Sequence, residues 1–117
     1  MSKEEEEESM AKVIQLTAEP IRVTSAQKQE LRLSRRVTPH NELELLCRVV
    51  AGSVTIKILT GNQIETEDGW VELGTFGALS ADNSEAITLT NPLRFVRWEA
   101  ASESSGTFMI SGVARSN

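Results

Sequence analysis

Residues 42–60 read ELELLCRVVAGSVTIKILT, and this stretch decides the class of fold. Apolar and polar residues alternate at the start of the stretch and again towards its end. Alternation with a period of two is the pattern of a strand that buries one of its faces. A short Gly-containing segment at Gly52 divides the two runs, so the sequence predicts a β-hairpin. On its return strand, Ile56 and Ile58 should point inward and Lys57 outward.

Strand-like runs separated by turn signals fill the rest of residues 10–117. Their spacing of about 10–12 residues is typical of a β-sandwich or barrel. Helical propensity indicates one short helix near Ala26–Leu31. We therefore predict an all-β fold, a jelly-roll-like antiparallel β-sandwich, with a single domain over residues 10–117. The predicted strands lie at Val13–Thr17, Ile21–Thr24, Gln29–Val37, Glu42–Val50, Ser53–Thr60, Trp70–Gly74, Ala86–Thr90, Leu93–Ala101 and Thr107–Ala114.

The charge of the chain is concentrated at its N-terminus. Residues 1–9, MSKEEEEES, hold one Lys and five Glu, so they carry −4 of the total net charge of −5. Adjacent like charges repel each other and bury no apolar surface, which predicts a disordered acidic tail over residues 1–9. The tail is either a solvated segment or a contact for a basic partner. The rest of the chain is nearly neutral, which argues against nucleic-acid binding through a broad basic face.

Cysteine usage and the absence of targeting signals indicate where the protein folds. The one cysteine, Cys47, cannot form an internal disulfide and lies in the apolar run Leu43–Val50. We expect a buried thiol in a protein that folds in a reducing compartment. The N-terminus is acidic, whereas a secretory signal begins basic and continues apolar. No apolar run approaches the roughly 20 residues that span a bilayer, so no membrane association is predicted.

The inventory of reactive side chains argues against an enzyme. Nucleophilic catalysis usually needs Ser or Cys beside a base, and the one histidine, His40, lies in a Pro-His-Asn segment typical of a turn. A structural zinc site needs four Cys or His ligands, and the chain has too few. Glu65, Glu67 and Asp68 are candidate calcium ligands, but an exposed hairpin tip explains them better. We predict no catalytic residue, no metal and no cofactor.

Arg and Trp residues form the strongest candidate for a binding surface. In an extended strand Arg94 and Trp98 share one face, and Arg97 lies on the other. Both residue types are enriched at the energetic centres of protein interfaces. The candidate interface residues are therefore Arg94, Arg97, Trp98 and Trp70. The alternative is structural, with an Arg side chain lying across a neighbouring strand or stacked on an aromatic ring.

The second half of the chain, from Asp68 to Arg115, resembles small bacteriophage virion proteins. The shared pattern begins with Gly-Trp-x-x-Leu-Gly-Thr and continues with a polar loop, an apolar strand, an Asn-Pro turn and two strands separated by Ser-Gly. These pieces lie at Gly69–Thr75, Ala78–Glu85, Ala86–Thr90, Asn91-Pro92, Leu93–Ala101, Ser105-Gly106 and Thr107–Ala114. The resemblance implies a jelly-roll or galactose-binding-like sandwich of the kind found in capsid decoration, connector and tail components. It implies no catalytic residue.

These observations leave two main hypotheses of function. The first is a non-enzymatic virion protein, made in the host cytoplasm, such as a capsid decoration or cement protein that binds the major capsid protein. As an aromatic-poor sandwich it would gain from forming a homo-oligomer, with a trimer preferred; a connector or tail component is the close variant. The second is a carbohydrate- or ligand-binding module, although the chain has only two Trp, three Phe and no Tyr. An enzyme with an unrecognised site is a remote third.

Overall fold

The computed structural model describes residues 11–116, and over this range the chain forms strands joined by short loops. The predicted acidic tail, residues 1–9, lies outside the described residues. One short 3-10 turn at Leu31–Leu33 interrupts the strands. The strands are β1 (Ala11–Gln15), β2 (Ile21–Val23), β3 (Gln27–Lys28), β4 (Arg35–Arg36), β5 (Glu42–Val54), β6 (Ile56–Gly61), β7 (Val71–Thr75), β8 (Leu79–Ser80), β9 (Ser84–Thr90), β10 (Phe95–Ala100) and β11 (Ser105–Arg115).

The strands form two antiparallel sheets, which confirms the predicted all-β fold. In the six-stranded sheet, β11 lies between β1 and β5, with β2 continuing the β1 edge and with β8 and β9 on the far side of β5. In the five-stranded sheet, β10 lies between β6 and the short β3 and β4, and β7 follows β6. The molecule measures 47 × 32 × 21 Å, which is a slab about two sheets thick.

The predicted hairpin around Gly52 is wrong. β5 continues through Gly52 to Val54, and β6 belongs to the other sheet, so the chain changes sheets at Thr55. Gly52 has a φ of 70° and lies opposite Gly106 of β11. A Cβ atom at Gly52 would lie 2.2 Å from the carbonyl oxygen of Ser105. Glycine is needed here because two strands approach closely, not because the chain reverses.

The segment Gln27–Val37 also differs from its prediction. In place of a helix near Ala26–Leu31 and a strand from Gln29, the chain forms β3, the 3-10 turn and β4. The Gln29 side chain explains the difference, because its Nε2 donates to the carbonyl oxygens of Leu16 (2.8 Å) and Leu33 (3.1 Å). These contacts tie the segment to the edge of the sandwich, and tertiary contacts of this kind override helical propensity.

The core lies between the two sheets and follows the predicted alternation. Ile56 and Ile58 are fully buried, whereas the Lys57 side chain is 43% exposed, which confirms the predicted orientation of these residues. The rings of Trp98 and Phe108 meet edge to face across the core, with centroids 5.1 Å apart. Such aromatic pairs add to the stability gained from burial alone.

Cys47 lies in this core, as predicted for a buried thiol. Burial, helped by the nearby negative charge of Glu85, raises the pKa of the Cys47 thiol to about 12. The thiol therefore remains protonated at neutral pH and acts as a small apolar side chain.

Candidate functional site

Arg97, one of the predicted interface residues, is buried on the outer side of the five-stranded sheet. Its side chain is 1% exposed and is covered by the segment that joins β6 to β7. The Nη1 atom donates to Glu67 Oε1 (2.7 Å), Nη2 donates to Glu67 Oε2 (3.4 Å), and Nη2 also donates to the carbonyl oxygen of Gln29. Both Nη atoms of the buried guanidinium are thus engaged by groups of the same chain.

Trp70 completes this cluster from the other side. The Arg97 guanidinium carbon lies 5.2 Å from the centroid of the Trp70 ring, so the predicted alternative of an Arg stacked on an aromatic ring is what the structure contains. The ring also packs on Gly61, where a Cβ atom would lie 2.7 Å from it. Trp70 Nε1 donates to the carbonyl oxygen of Thr66 (3.0 Å), which closes the loop.

The four predicted interface residues do not form one surface. Arg97 and Trp70 meet, whereas Trp98 is 3% exposed and points into the core towards Phe108. Arg97 and Trp98 are both buried within the chain, on opposite sides of the five-stranded sheet. Arg94 is exposed, just before β10 begins, and remains a candidate contact.

The electrostatics of the cluster favour the ionised form of Glu67. The hydrogen bond from Arg97 lowers the pKa of the Glu67 carboxyl; burial opposes this shift, and the charges of Arg97 and Lys28 add to it. Lys28 Nζ lies 4.0 Å from Glu67 Oε1 and 3.9 Å from Glu99 Oε2. Glu67, considered from the sequence as a calcium ligand, is therefore engaged by cations of the protein itself.

A cleft of about 330 Å³ opens beside this cluster, between the β1–β2 loop and the segment from β3 to β4. Its floor contains Leu16 and Ile21, and its rim carries Glu19, Lys28 and Arg35. Gln29 lies at its inner end, but the Gln29 amide already bonds to Leu16, Leu33 and the backbone nitrogen of Trp98. The cleft thus offers an apolar floor and charged side chains of both signs.

A second candidate surface is the outer side of the six-stranded sheet, which alternation in the sequence did not reveal. We call it the outer face. Directly paired residues share a side of the sheet, so the side chains of β5 that point outward group with their partners on β1, β9 and β11. The outer face comprises Val13, Gln15, Glu44, Leu46, Arg48, Val50, Ser84, Ala86, Thr88, Met109, Ser111 and Val113.

This face exposes apolar side chains that no described element covers. Val13 is 79% exposed, Val50 46% and Leu46 44%. Ser111 and Ala86 flank Leu46 on the neighbouring strands, so the middle of the face is formed by small and apolar groups. The sequence does carry a signal for this face. Leu46 and Val50 are apolar, yet they occupy positions of β5 that alternation assigns to solvent, on the same side as Glu44 and Arg48.

Residues considered for catalysis and metal binding occupy structural positions. His40 lies in a turn, as predicted, with its backbone nitrogen bonded to the carbonyl oxygen of Val37 (2.9 Å) and its Nδ1 3.2 Å from Ser116 Oγ. Between residues 11 and 116, no three His, Cys, Asp or Glu side chains are grouped to hold a metal ion. The same part of the chain contains no helix of a length and hydropathy that could cross a membrane.

Comparison with known proteins gives one informative likeness. No family model matches the chain, and no curated protein matches its sequence. The structure is similar to that of the SPBc2 prophage-derived protein YomS, with a TM-score of 0.59 and 16% sequence identity over 91% of this chain and 93% of that one. A structure of PirA aligns over 90% of both chains with a TM-score of only 0.39 and 9% identity. The first likeness shows a shared fold.

Proposed function

We propose that this chain is a non-enzymatic structural protein of a phage particle, and that it acts as a capsid decoration or cement protein. The observation that carries the proposal is the outer face, because a soluble monomer rarely exposes a broad apolar surface without a partner for it. The reactive side chains are otherwise engaged: Cys47 is buried with a raised pKa, and Arg97 is paired with Glu67.

The order of the strands supports a jelly-roll assignment within this proposal. The chain crosses between the sheets several times, with β5 in the six-stranded sheet, β6 and β7 in the five-stranded sheet, β8 and β9 back in the first and β10 back in the second. The last strand, β11, then lies beside the first, β1. Jelly rolls are two-sheet folds of this kind and are common in viral capsid proteins. Since one fold serves many functions, the topology supports the class of protein and not its partner.

The likeness to a prophage-derived protein likewise supports a class of protein, one of phage origin, and does not identify a partner. That structure shares the fold along nearly the whole of both chains. The sequence resemblance of residues 68–115 to small virion proteins is an independent line of support. Both are compatible with a decoration protein, a connector or a tail component.

Co-sedimentation with assembled capsids tests the proposal. Expanded capsids that lack their decoration protein are mixed with the wild-type chain, and the bound mass is compared with that of Leu46→Arg, which places a charge at the centre of the outer face. We expect saturable binding of the wild type and loss of binding for Leu46→Arg. Lys57→Glu, on the other sheet, is the control and should bind normally. The proposal fails if the wild type remains in the supernatant with capsids, connectors and tails alike.

Ligand binding in the cleft is the second candidate function. The observation that favours it is the volume of about 330 Å³, at the lower end of the range for small-molecule sites. Glycan-array binding of the wild type, compared with Ile21→Arg, which fills the cleft, tests this alternative. Binding that survives Ile21→Arg does not use the cleft.

A further inference from the structure

The arrangement of charges on the outer face is complementary to itself. In the middle of β5 the outward residues are Glu44, Leu46 and Arg48, so one negative and one positive group lie at equal distances on either side of an apolar centre, with Glu42 and Val50 beyond them. On β11 the residues paired with them are Val113, Ser111 and Met109, which again place two apolar groups about a small central one.

We infer that the outer face binds a second copy of this chain, in a dimer whose twofold axis runs across the strands through Leu46 and Ser111. Rotation about that axis places Glu44 of each copy over Arg48 of the other and Val113 over Met109. This inference rests on the proposed function: the second copy covers the outer face, and the joined pair binds the virion through its remaining surface, more tightly than one copy can, so a variant that separates the pair also weakens capsid binding.

The charge pattern selects this axis over the alternative. A twofold axis parallel to the strands would place Glu44 over Glu44 and Arg48 over Arg48, and like charges in contact across an interface are strongly unfavourable. The axis across the strands also sets β5 of one copy antiparallel to β5 of the other. Stacked sheets keep their strands within about 30° of each other, which allows this alignment.

Within one chain, the charges of Arg48 and Glu44 are not fully paired, so a second copy can provide ion-pair partners for them. Arg48 forms no ion pair with any other residue in the range 11–116. Glu44 Oε2 lies 3.5 Å from Arg115 Nη2, so its charge is only partly offset, and its side chain remains 55% exposed. The two reciprocal pairs would fix the register of the dimer, while the apolar centre would supply most of its affinity.

The size of the face is sufficient for a specific dimer. β5 and β11 pair along most of their lengths, and β1 and β9 extend the sheet on either side. At roughly 3.3 Å per residue and 4.8 Å between strands, the face measures about 30 by 20 Å. A standard interface buries about 800 Å² per partner, which such a face approaches. A face that meets itself produces a closed twofold pair, whereas the trimer expected from the sequence needs two different surfaces.

Charge exchange between two variants tests the inference. Light scattering across a dilution series should give the mass of a dimer for the wild type. Arg48→Glu and Glu44→Arg should each raise the dissociation constant more than about tenfold, because each sets like charges against each other. An equimolar mixture of the two variants should form heterodimers, and the double variant Glu44→Arg/Arg48→Glu should recover the homodimer. Lys57→Glu, a charge reversal on the other sheet, is the control and should remain dimeric.

Several outcomes overturn the inference. They are a wild type with the mass of one chain, an oligomer that Arg48→Glu leaves unchanged, or a mixture of the two variants that stays monomeric. Thermal melts confirm that each variant is folded under the conditions in which its mass is measured. If the wild type is monomeric but Leu46→Arg abolishes capsid binding, the outer face binds the virion directly, and the proposed function stands without the dimer.

Discussion

Arg97 is the residue on which the loop between β6 and β7 depends. Its guanidinium bonds to Glu67 and to the carbonyl oxygen of Gln29 and stacks on Trp70, although its side chain is almost wholly buried. Burial of a cation is costly unless it is paired and hydrogen-bonded. The loop supplies Glu67 and Trp70 as the partners that the buried Arg97 requires. These contacts therefore hold the loop against the sheet.

The pair predicts a dependence of stability on pH. The pKa of Glu67 is lower in the folded chain than its ordinary value of 4.5, so its contribution is fully present above that value. The contribution is lost as the pH falls through the lowered pKa, where the carboxylate becomes protonated. We expect Glu67→Gln to be less stable than the wild type at pH 7, and the difference to shrink as the pH falls below about 4.

Urea unfolding of both chains at a series of pH values measures this difference. Glu65→Gln is the matched control, since Glu65 lies in the same loop and forms no ion pair among residues 11–116. A gap between Glu67→Gln and the wild type that stays constant from pH 7 to pH 3 would show that the carboxylate charge is not what stabilises the loop.

At the level of single elements, β5 continues through residue 52 beside β11 because that residue is glycine. Gly52 combines a positive φ with close contact to the Ser105 carbonyl, whereas Gly69 has a φ of 82° and open space where a Cβ would lie. Both Gly→Ala changes meet the strain of a positive φ, about 1–3 kcal/mol, but only Gly52→Ala also forces β5 and β11 apart. Gly52→Ala should therefore lower the unfolding free energy clearly more than Gly69→Ala. Equal losses of unfolding free energy for the two variants in chemical denaturation would show that only the positive φ requires glycine at Gly52, as at a turn.

The orientation of β6 predicts a second contrast. Ile56→Ala should cost about 2–5 kcal/mol, because it removes buried methyl groups and leaves a cavity in the core. Lys57→Ala should cost less than about 1 kcal/mol, since Lys57 is half-exposed and makes only a 3.7 Å ion pair with Glu72. Denaturant midpoints of the two variants check the contrast. Similar midpoints would mean that β6 does not pack through Ile56.

Sequence reasoning identified most strands because a strand that buries one face leaves a local signal. The orientation of Ile56, Ile58 and Lys57 follows directly from alternation. The partner of each strand leaves no such signal, and the hairpin at Gly52 was predicted because a glycine at a close contact resembles a glycine at a turn. Pairing of β5 with β9 and β11 depends on residues far away in the chain, which alternation does not reveal.

The candidate site was less accessible to sequence reasoning than the fold. Arg and Trp are enriched both at interfaces and in buried stacks, so residue type did not show that Arg97 stacks on Trp70 inside the protein. The outer face emerged only when the register of β1, β5 and β11 brought Val13, Leu46 and Val113 to one side of a sheet. A surface formed by distant segments is visible only after those segments are paired.

For the whole molecule, the proposed dimer predicts that stability depends on protein concentration. Association of folded chains stabilises them by mass action, so the wild-type Tm should rise with concentration. The Tm of Arg48→Glu should rise only at higher concentrations than that of the wild type, because its dimer is weaker. Calorimetry at several concentrations measures both. A wild-type Tm that does not change with concentration contradicts the dimer at those concentrations.

The position of β11 determines when this protein is able to fold during its synthesis. β11 lies in the interior of the six-stranded sheet, and β1 and β2 find their described strand partners on it alone, yet the ribosome makes it after all the other strands. A nascent chain that ends before Ser105 therefore leaves one edge of β5, and the strands β1 and β2, without their partners. It also lacks Phe108, whose ring packs on Trp98 in the core. Folds dominated by such distant pairings form slowly, in milliseconds to seconds. Ribosome-bound chains carrying a C-terminal linker should become protease-resistant only when the linker is long enough for the segment up to Arg115 to leave the exit tunnel.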